Sequence, residues 1–308
     1  MKSLLSYILR RCLYAIFVLF GVATVVFFIT RMTGDPVAIM LPPDATVEQM
    51  EELRIELGMD KPLLTQYGIF IWDLLHFDLG ESLRYDDSTL KLILERLPAT
   101  LQLASTSLII ALLVSIPAGI LSALKQGSLF DRLIMSFVLI GQSFPVFWVG
   151  ILLILFFSVS LGLLPTGGIG GWEHLILPAF ALGLHMMALI TRLLRSSLIE
   201  VLSSDYIRTA RAKGLLSFKV IAKHALRNSL LPVVTIVGLQ VGALLGGSVV
   251  TEMVFAWPGV GQMIIQAINF RDFPLVQTAI ILLAGIFVLI NLIVDLLYVV
   301  IDPRIQYK

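Results

Sequence analysis

Residues 205–227, DYIRTARAKGLLSFKVIAKHALR, form a basic segment in a chain that is otherwise mostly apolar. Ser203 or Ser204 stands where a helix N-cap belongs, and Asp205 suits the positive end of the helix that follows. Asp205 and Arg208 are three apart and Thr209 and Lys213 four apart, so each pair shares a helical face. Gly214 supplies a left-handed stop. The helix so bounded has about nine residues, too few to be stable alone in water, so contacts must hold it. A second helix is expected after Ser217, with Lys219, Lys223 and Arg227 as a basic stripe at i, i+4 and i+8. Two readings fit: a loop lying on anionic lipid headgroups, or a helix that docks a protein.

Working outward, composition places the chain in a membrane. Of 308 residues, 58% are hydrophobic and 14% charged, with a mean hydropathy of +0.95; soluble domains carry about a quarter charged residues. Net charge is +1, so there is no basic bias toward nucleic acid. The single cysteine, Cys12, excludes an internal disulfide. Stretches free of Asp, Glu, Lys and Arg run over 12–30, 97–124, 133–172, 174–191, 228–251 and 273–294, and a spanning helix needs roughly 20 such residues. The first follows Arg10 and Arg11 like a signal peptide, but it is longer than a signal core and no small-x-small pattern precedes Gly34, so an uncleaved span is expected. The third is long enough for two short spans. Six spans, however, put the 192–227 loop and both termini on one side, and that loop holds eight Lys/Arg against Glu200 and Asp205. The positive-inside tendency makes that side cytoplasmic and leaves 161–172, with Pro165, Gly167, Gly168, Gly170 and Gly171, as an external loop.

The expected layout is a first span over 1–30, an external segment over 31–96 and a five-helix core over 97–308 that carries the loop 192–228. The external segment holds six Lys/Arg and thirteen Asp/Glu. Three amphipathic helices are expected in it. One is capped by Thr46 and Gln49, striped by Val47, Met50, Leu53 and Leu57, and ends at Gly58. The others cover about 62–75 and a stretch beginning near Ser88. Polar residues within spans (Gln102, Ser105, Thr106, Ser107, Gln142, Ser143) are expected to bond between helices or to face a water-filled path. Gln102, Ser143 and Gln240 are the candidates for such a path. His185, mid-span, is expected to be a hydrogen-bonded interior residue, and the histidines show no metal-ligand spacing. Gly238, Gly242 and Gly246 make a small-residue stripe for close helix contact. Glu252 is expected to begin an external loop, and Asp295 lies near the inner end of the last span, where pairing or snorkelling is expected.

Taken together, Asp205-Tyr206-Ile207-Arg208-Thr209-Ala210-Arg211-Ala212-Lys213-Gly214, His224-Ala225-Leu226-Arg227-Asn228 and Leu231-Pro232 resemble the ATPase-contacting loop of ABC importer permeases, most closely the dipeptide, oligopeptide and nickel branch. Gly34-Asp35-Pro36, Leu57-Gly58-Met59-Asp60-Lys61-Pro62-Leu63, Phe77-Asp78-Leu79-Gly80-Glu81-Ser82, Leu97-Pro98-Ala99-Thr100, Trp257-Pro258-Gly259-Val260-Gly261 and Asp302-Pro303-Arg304 agree, so the resemblance covers nearly the whole chain. The general importer pattern opens with Glu-Ala-Ala six residues before the glycine; here Arg208-Thr209-Ala210 stand there, and Pro232 comes five residues late.

The resemblance implies an all-α integral membrane protein of six transmembrane helices with the type I ABC importer permease fold and cytoplasmic termini, in the inner membrane. It implies a first-type permease that pairs with a second permease subunit, two cytoplasmic ATPase subunits and an extracytoplasmic substrate-binding protein. ATP binding would close the ATPases, move the short helix and open a central path outward. The docking residues it implies are Asp205, Tyr206, Arg208, Thr209, Ala210, Arg211, Lys213 and Gly214. Peptides are the leading cargo, with nickel chelates, glutathione or short glycans as alternatives. The chain contains no Gly-Lys dipeptide, hence no phosphate-binding loop; no cofactor of its own is expected, and ATP hydrolysis falls to partners. A secondary transporter would show internal repeats and several midplane carboxylates, and a membrane-embedded enzyme a His-Glu-x-x-His or serine elbow; Asp295 is the one candidate of the first kind and the second has none.

Overall fold

A computed structural model describes residues 2–32, 37, 45–56 and 58–301. Gly34-Asp35-Pro36, Leu57, Asp302-Pro303-Arg304 and the side chain of Asp295 lie outside the described residues. The fold is helical. Residues 2–98 with 259–289 pack as one unit, and residues 99–258 with 290–301 as another.

In the first unit, α1 (Lys2–Met32) is apolar beyond Arg11 and exposes Leu13, Ile16, Phe17 and Phe20, as suits a helix solvated by lipid. Near its end the chain packs inward: Phe27 and Phe28 meet Tyr67 and Phe70 of α3 (Leu63–Leu75) at ring distances of 5.2–5.5 Å, and Thr24 Oγ1 bonds the Tyr67 hydroxyl at 2.8 Å. Before it, α2 (Val47–Glu56) starts on the expected capping box: the Thr46 N–H donates to Gln49 Oε1 at 2.9 Å and the Gln49 N–H to Thr46 Oγ1 at 3.3 Å. Gly58 follows with φ +63°. The stripe on α2 is only half used, since Met50 and Leu53 are half-buried while Val47 is exposed.

The segment 77–82 is tied down by side-chain hydroxyls. Thr89 Oγ1, at the start of α4 (Thr89–Leu124), lies 3.0 Å from the carbonyls of Leu79 and Gly80 and 2.9 Å from Thr278 Oγ1. Ser82 donates to the buried carboxylate of Asp272 at 2.5 Å, and the Leu83 and Leu275 amides bond the same side chain, so Asp272 caps α12 (Phe273–Ile301) and holds 82–83 at once. Ile93 meanwhile packs among Val260, Met263, Ile264 and Ala267 of α11 (Val260–Asn269) and Leu275, Val276 and Ala279 of α12. A hydrogen bond to a buried charged group is worth roughly 1.5–3 kcal/mol. Ser82→Ala is therefore expected to loosen 77–88 and raise its cleavage rate by added protease about tenfold or more; an unchanged digestion pattern would remove this bond from the account.

In the second unit α4 continues to Leu124, so the third amphipathic helix expected outside the membrane and the second span are one element. The next apolar stretch differs from expectation more. A single span was expected over 133–160; α5 (Leu129–Ser143) and α6 (Val146–Leu153, extended by a π-helical turn over Ile154–Ser160) are instead bent by 111° at Phe144–Pro145. Pro145 has no amide proton, and Phe144 takes the extended conformation (φ −98°, ψ 139°) that a following proline imposes. Neither half alone reaches across about 30 Å of hydrocarbon. The described residues thus hold five unbroken helices long and apolar enough to cross a membrane, or six where the bent pair is counted as one span.

Helix α7 (Glu173–Leu202) is the centre of this unit, with most positions from Leu177 to Leu198 buried. Glycines let neighbours reach it, Gly119 and Gly183 most closely. A Cβ on Gly119 would stand 3.1 Å from Leu194 Cβ and the Thr191 carbonyl, and one on Gly183 would stand 2.9 Å from the Ser107 carbonyl. The predicted stripe on α10 (Leu231–Val254) is divided: Gly238 and Gly242 are buried and Gly246 is exposed. The intramembrane hydroxyls mostly serve their own helices rather than bridging. Ser107 donates to Leu103 O, Ser143 to Leu139 O, Thr191 to Met187 O and Ser248 to Leu245 O, because a helical Ser or Thr reaches the carbonyl one turn back.

Glu252, expected in a loop, lies within α10, fully buried, and accepts from Thr100 Oγ1 at 2.8 Å. Trp257 next to it is buried and donates Nε1–H to the Ala99 carbonyl at 2.9 Å. The glycine-rich loop 161–172 folds back on this end: the Gly168 N–H donates to Phe255 O at 2.8 Å, and a side chain at Gly167 would overlap the same carbonyl.

Candidate functional site: a docked short helix and its clamp

α7 ends at Leu202, so its last eleven residues, from Arg192 on, are helical rather than loop. The chain then turns into α8 (Asp205–Ala212). Ser204 has the extended backbone of an N-cap (φ −70°, ψ 153°), but the expected side-chain cap is not made. Both candidate hydroxyls point back to close α7 instead, Ser203 Oγ to Glu200 O at 2.7 Å and Ser204 Oγ to Val201 O at 2.6 Å. The stop is as expected. Gly214 has φ +75°, its N–H donates to Arg211 O, and the Leu215 N–H reaches Ala210 O, which is the paired closure of a left-handed C-terminus.

An eight-residue helix is held by what it sits on. Ile207 and Ala210 are buried against Ala123 at the end of α4, Leu198 of α7, and Val220 and Ala225 of the helical run α9 over 217–229. The middle of α9, Val220–Ala225, is a π-helical turn. Residues five apart diverge on an α-helix but align where the hydrogen bonds run i to i+5, so Val220 and Ala225 both enter the cluster that buries Ile207. Tyr206 adds a polar strut: its hydroxyl accepts from Asn228 Nδ2 at 2.8 Å. The opposite face carries Asp205, Arg208, Thr209, Arg211 and Lys213, all exposed, and Lys219, Lys223 and Arg227 are exposed beyond it. Arg208 pairs with Asp205 at 3.5 Å across i, i+3; with both side chains open to solvent this pair contributes little. Of the expected docking residues, Ala210 belongs to the buried side and Gly214 to the stop; the others form or border one basic surface.

Beneath α8 lies a group that sequence reading did not single out. Asp131, three per cent exposed, takes a two-pronged ion pair from Arg195 (Nε–Oδ1 2.7 Å, Nη2–Oδ2 2.8 Å), a bond from the Ser122 hydroxyl and one from the Gly127 N–H at 2.9 Å. It joins the ends of α4, α5 and α7 at the level where α8 docks. Ser128 followed by Asp131 is a legible helix start, and Ser128 Oγ does accept from the Asp131 N–H at 3.2 Å. The partner, 64 residues away, left no mark in the local pattern.

Gln102 is exposed on α4, Ser143 ends α5 just before the bend, and Gln240 is half-buried on α10. His185, expected inside, is exposed. Among the described residues no group of three or more His, Cys, Asp or Glu could hold a metal ion.

Residues 115–307 match the family model described as binding-protein-dependent transport system inner membrane component, and residues 4–104 match the model for its N-terminal part. The dipeptide transport system permease protein DppB of Alkalihalophilus pseudofirmus is 44% identical, covering 99% of this chain and 100% of that protein. DppB of Escherichia coli K12 is 42% identical and the glutathione transport system permease protein GsiC of the same strain 43% identical, at the same coverage. Among solved structures, the inward-facing MetNI methionine ABC transporter superposes with a TM-score of 0.59 at 21% identity, over 69% of this chain and 97% of that one, a likeness of fold. An amino acid ABC transporter superposes with a TM-score of 0.51 at 17% identity, over 70% and 94%. Full-length relatives, matched models and helical architecture agree: the chain belongs to the binding-protein-dependent transport system inner membrane component family and is an ABC importer permease, a multi-pass, non-catalytic subunit of the inner membrane.

Proposed function

We propose that this chain is one of two permease subunits of an ATP-driven importer that moves di- or oligopeptides into the cytoplasm. The observation that carries the reading is a full-length likeness to dipeptide permeases in a chain whose short helix is packed on one side and basic on the other. In this reading two ATPase subunits bind ATP, and one of them seats on α8 through Asp205, Tyr206, Arg208, Thr209, Arg211 and Lys213. A second permease completes the path, to which Gln102, Ser143 and Gln240 contribute, and an extracytoplasmic binding protein delivers the cargo. Counting the bent pair as one span leaves both termini and α8 on one side, and the eight Lys/Arg of 192–227 make that side cytoplasmic. A small helix wedged against α4, α7 and α9 through Ile207 and Ala210 transmits a push as rigid-body motion.

Glutathione, itself a tripeptide, is the second reading, since a glutathione permease is similar at equal coverage. Uptake of labelled dipeptides, oligopeptides, nickel chelates and glutathione by the reconstituted transporter separates the two. ATP-dependent accumulation of peptides is expected; accumulation that ignores ATP depletion but collapses with the membrane potential would overturn the importer reading. For docking, the double substitution Arg208→Glu and Arg211→Glu is expected to leave the permease folded and to cut co-purified ATPase by about tenfold or more, since like charges then face a surface selected for cations. Unchanged co-purification would remove α8 from the interface.

A further inference from the structure

The central helix α7 is buried on nearly all sides, yet one stripe of it is open. His185, Arg192, Ser196 and Glu200 are exposed, and Leu189 between them is half-buried. At 100° per residue these five fall within a sector of about 80°, over a rise of about 22 Å. The same face nearer the N-terminus is shut: Pro178, Ala181 and Leu182 are buried, Ala181 with Leu177 against Phe255, and Leu182 lies against Gly247. The stripe therefore begins near the middle of the span and opens toward the end that carries α8. Arg192 is not left loose on it, because Nη1 donates to Gln142 Oε1 at 3.2 Å, on the half-helix just before the Pro145 break.

An imidazole and a guanidinium two turns apart on one face of a spanning helix are costly against lipid, and such residues face protein or water-filled cavities. We infer that this stripe lines the inner half of the translocation path and that Arg192, oriented by Gln142, receives the carboxylate end of a passing peptide. The inference rests on the permease reading above. Arg192 suits the task because its planar guanidinium binds a carboxylate by two parallel bonds. His185, about 10 Å further in along the helix, is the next polar group the same peptide meets. Leu189, lying between the two, offers the passing chain an apolar surface.

The test uses the whole transporter in proteoliposomes, with Cys12→Ser as background and single cysteines at Leu189, Ser196, Ile190 (fully buried) and Phe17 (exposed on α1). Leu189→Cys and Ser196→Cys are expected to react with an anionic sulfonatoethyl methanethiosulfonate about tenfold faster than with its trimethylammonium counterpart, as a positive cleft concentrates anions. Arg192→Gln should abolish that preference, and Arg192→Lys should keep it. Ile190→Cys should stay unmodified and Phe17→Cys should react only with a lipid-soluble maleimide. In uptake, Arg192→Gln should raise KM for a free-carboxylate peptide and leave that for its C-terminal amide unchanged. Maleimide labelling at 189 and 196 without reaction of either charged reagent would place lipid there; no labelling by any reagent, with cross-linking to the second permease, would place a dry interface there; labelling without charge preference would dismiss Arg192 as the anion site. Each outcome overturns the inference while ATP-driven uptake by the background transporter still upholds the permease reading.

Discussion

Asp131→Ala is expected to lower the stability of the assembled permease by about 3 kcal/mol or more, because removing one partner of a buried ion pair strands the other charge. The stranded group is Arg195, which also loses both prongs of its bond, while Ser122 and the Gly127 amide lose their acceptor. The loss is read as the thermal unfolding midpoint of detergent-solubilised transporter and as the yield of intact complex. Arg195→Ala should be similarly damaging. The pair Asp131→Leu with Arg195→Met should recover most of the loss, since an apolar pair of similar volume has no desolvated charge to satisfy. A double variant as unstable as either single one would mean that the ends of α4, α5 and α7 depend on the hydrogen bonds to Ser122 and Gly127 rather than on the ion pair.

Ile207→Asp is expected to abolish ATP-driven uptake while the spans remain inserted. Ile207 is fully buried and supplies the main apolar contact of an eight-residue helix. Truncating such a side chain costs about 2–5 kcal/mol, and a carboxylate in its place would have no partner among Ala123, Leu198, Val220 and Ala225. A helix this short has no independent stability to draw on, so it detaches from its seat rather than dragging the spans out of place. Ile207→Val, which costs about 1 kcal/mol, should retain most uptake. The measurement pairs uptake with co-purified ATPase; normal uptake by the aspartate variant would show that α8 does not carry the stroke.

The sequence carried much of this layout. Span positions followed from length, because in hydrocarbon every backbone group must be bonded within its own segment. The capping box at Thr46 and Gln49 and the left-handed stop at Gly214 were legible because each depends on residues three or four apart. The short helix α8 was legible for the same reason, together with its charge. The bend at Pro145 was announced by its proline, but its 111° was not, since a proline in a span is compatible with anything from a slight kink to a reversal. The π-helical turn over Val220–Ala225 gave no local sign at all; it brings two residues five apart into the apolar cluster that holds Ile207.

What sequence alone determined, then, is which segments are long and apolar enough to enter the membrane and where cations gather. What only the tertiary structure decided is which face of each segment meets protein. Ile16 and Phe17 on α1 are as apolar as Ile190 and Leu194 on α7, yet the first pair is exposed and the second fully buried. In water an apolar side chain reports the inside of a protein; in lipid it suits either side, so the hydrophobic pattern loses that information. The Asp131–Arg195 clamp and the open stripe from His185 to Glu200 appear only when helices distant in sequence are packed together, because their energy comes from partners, or from their absence, across the fold.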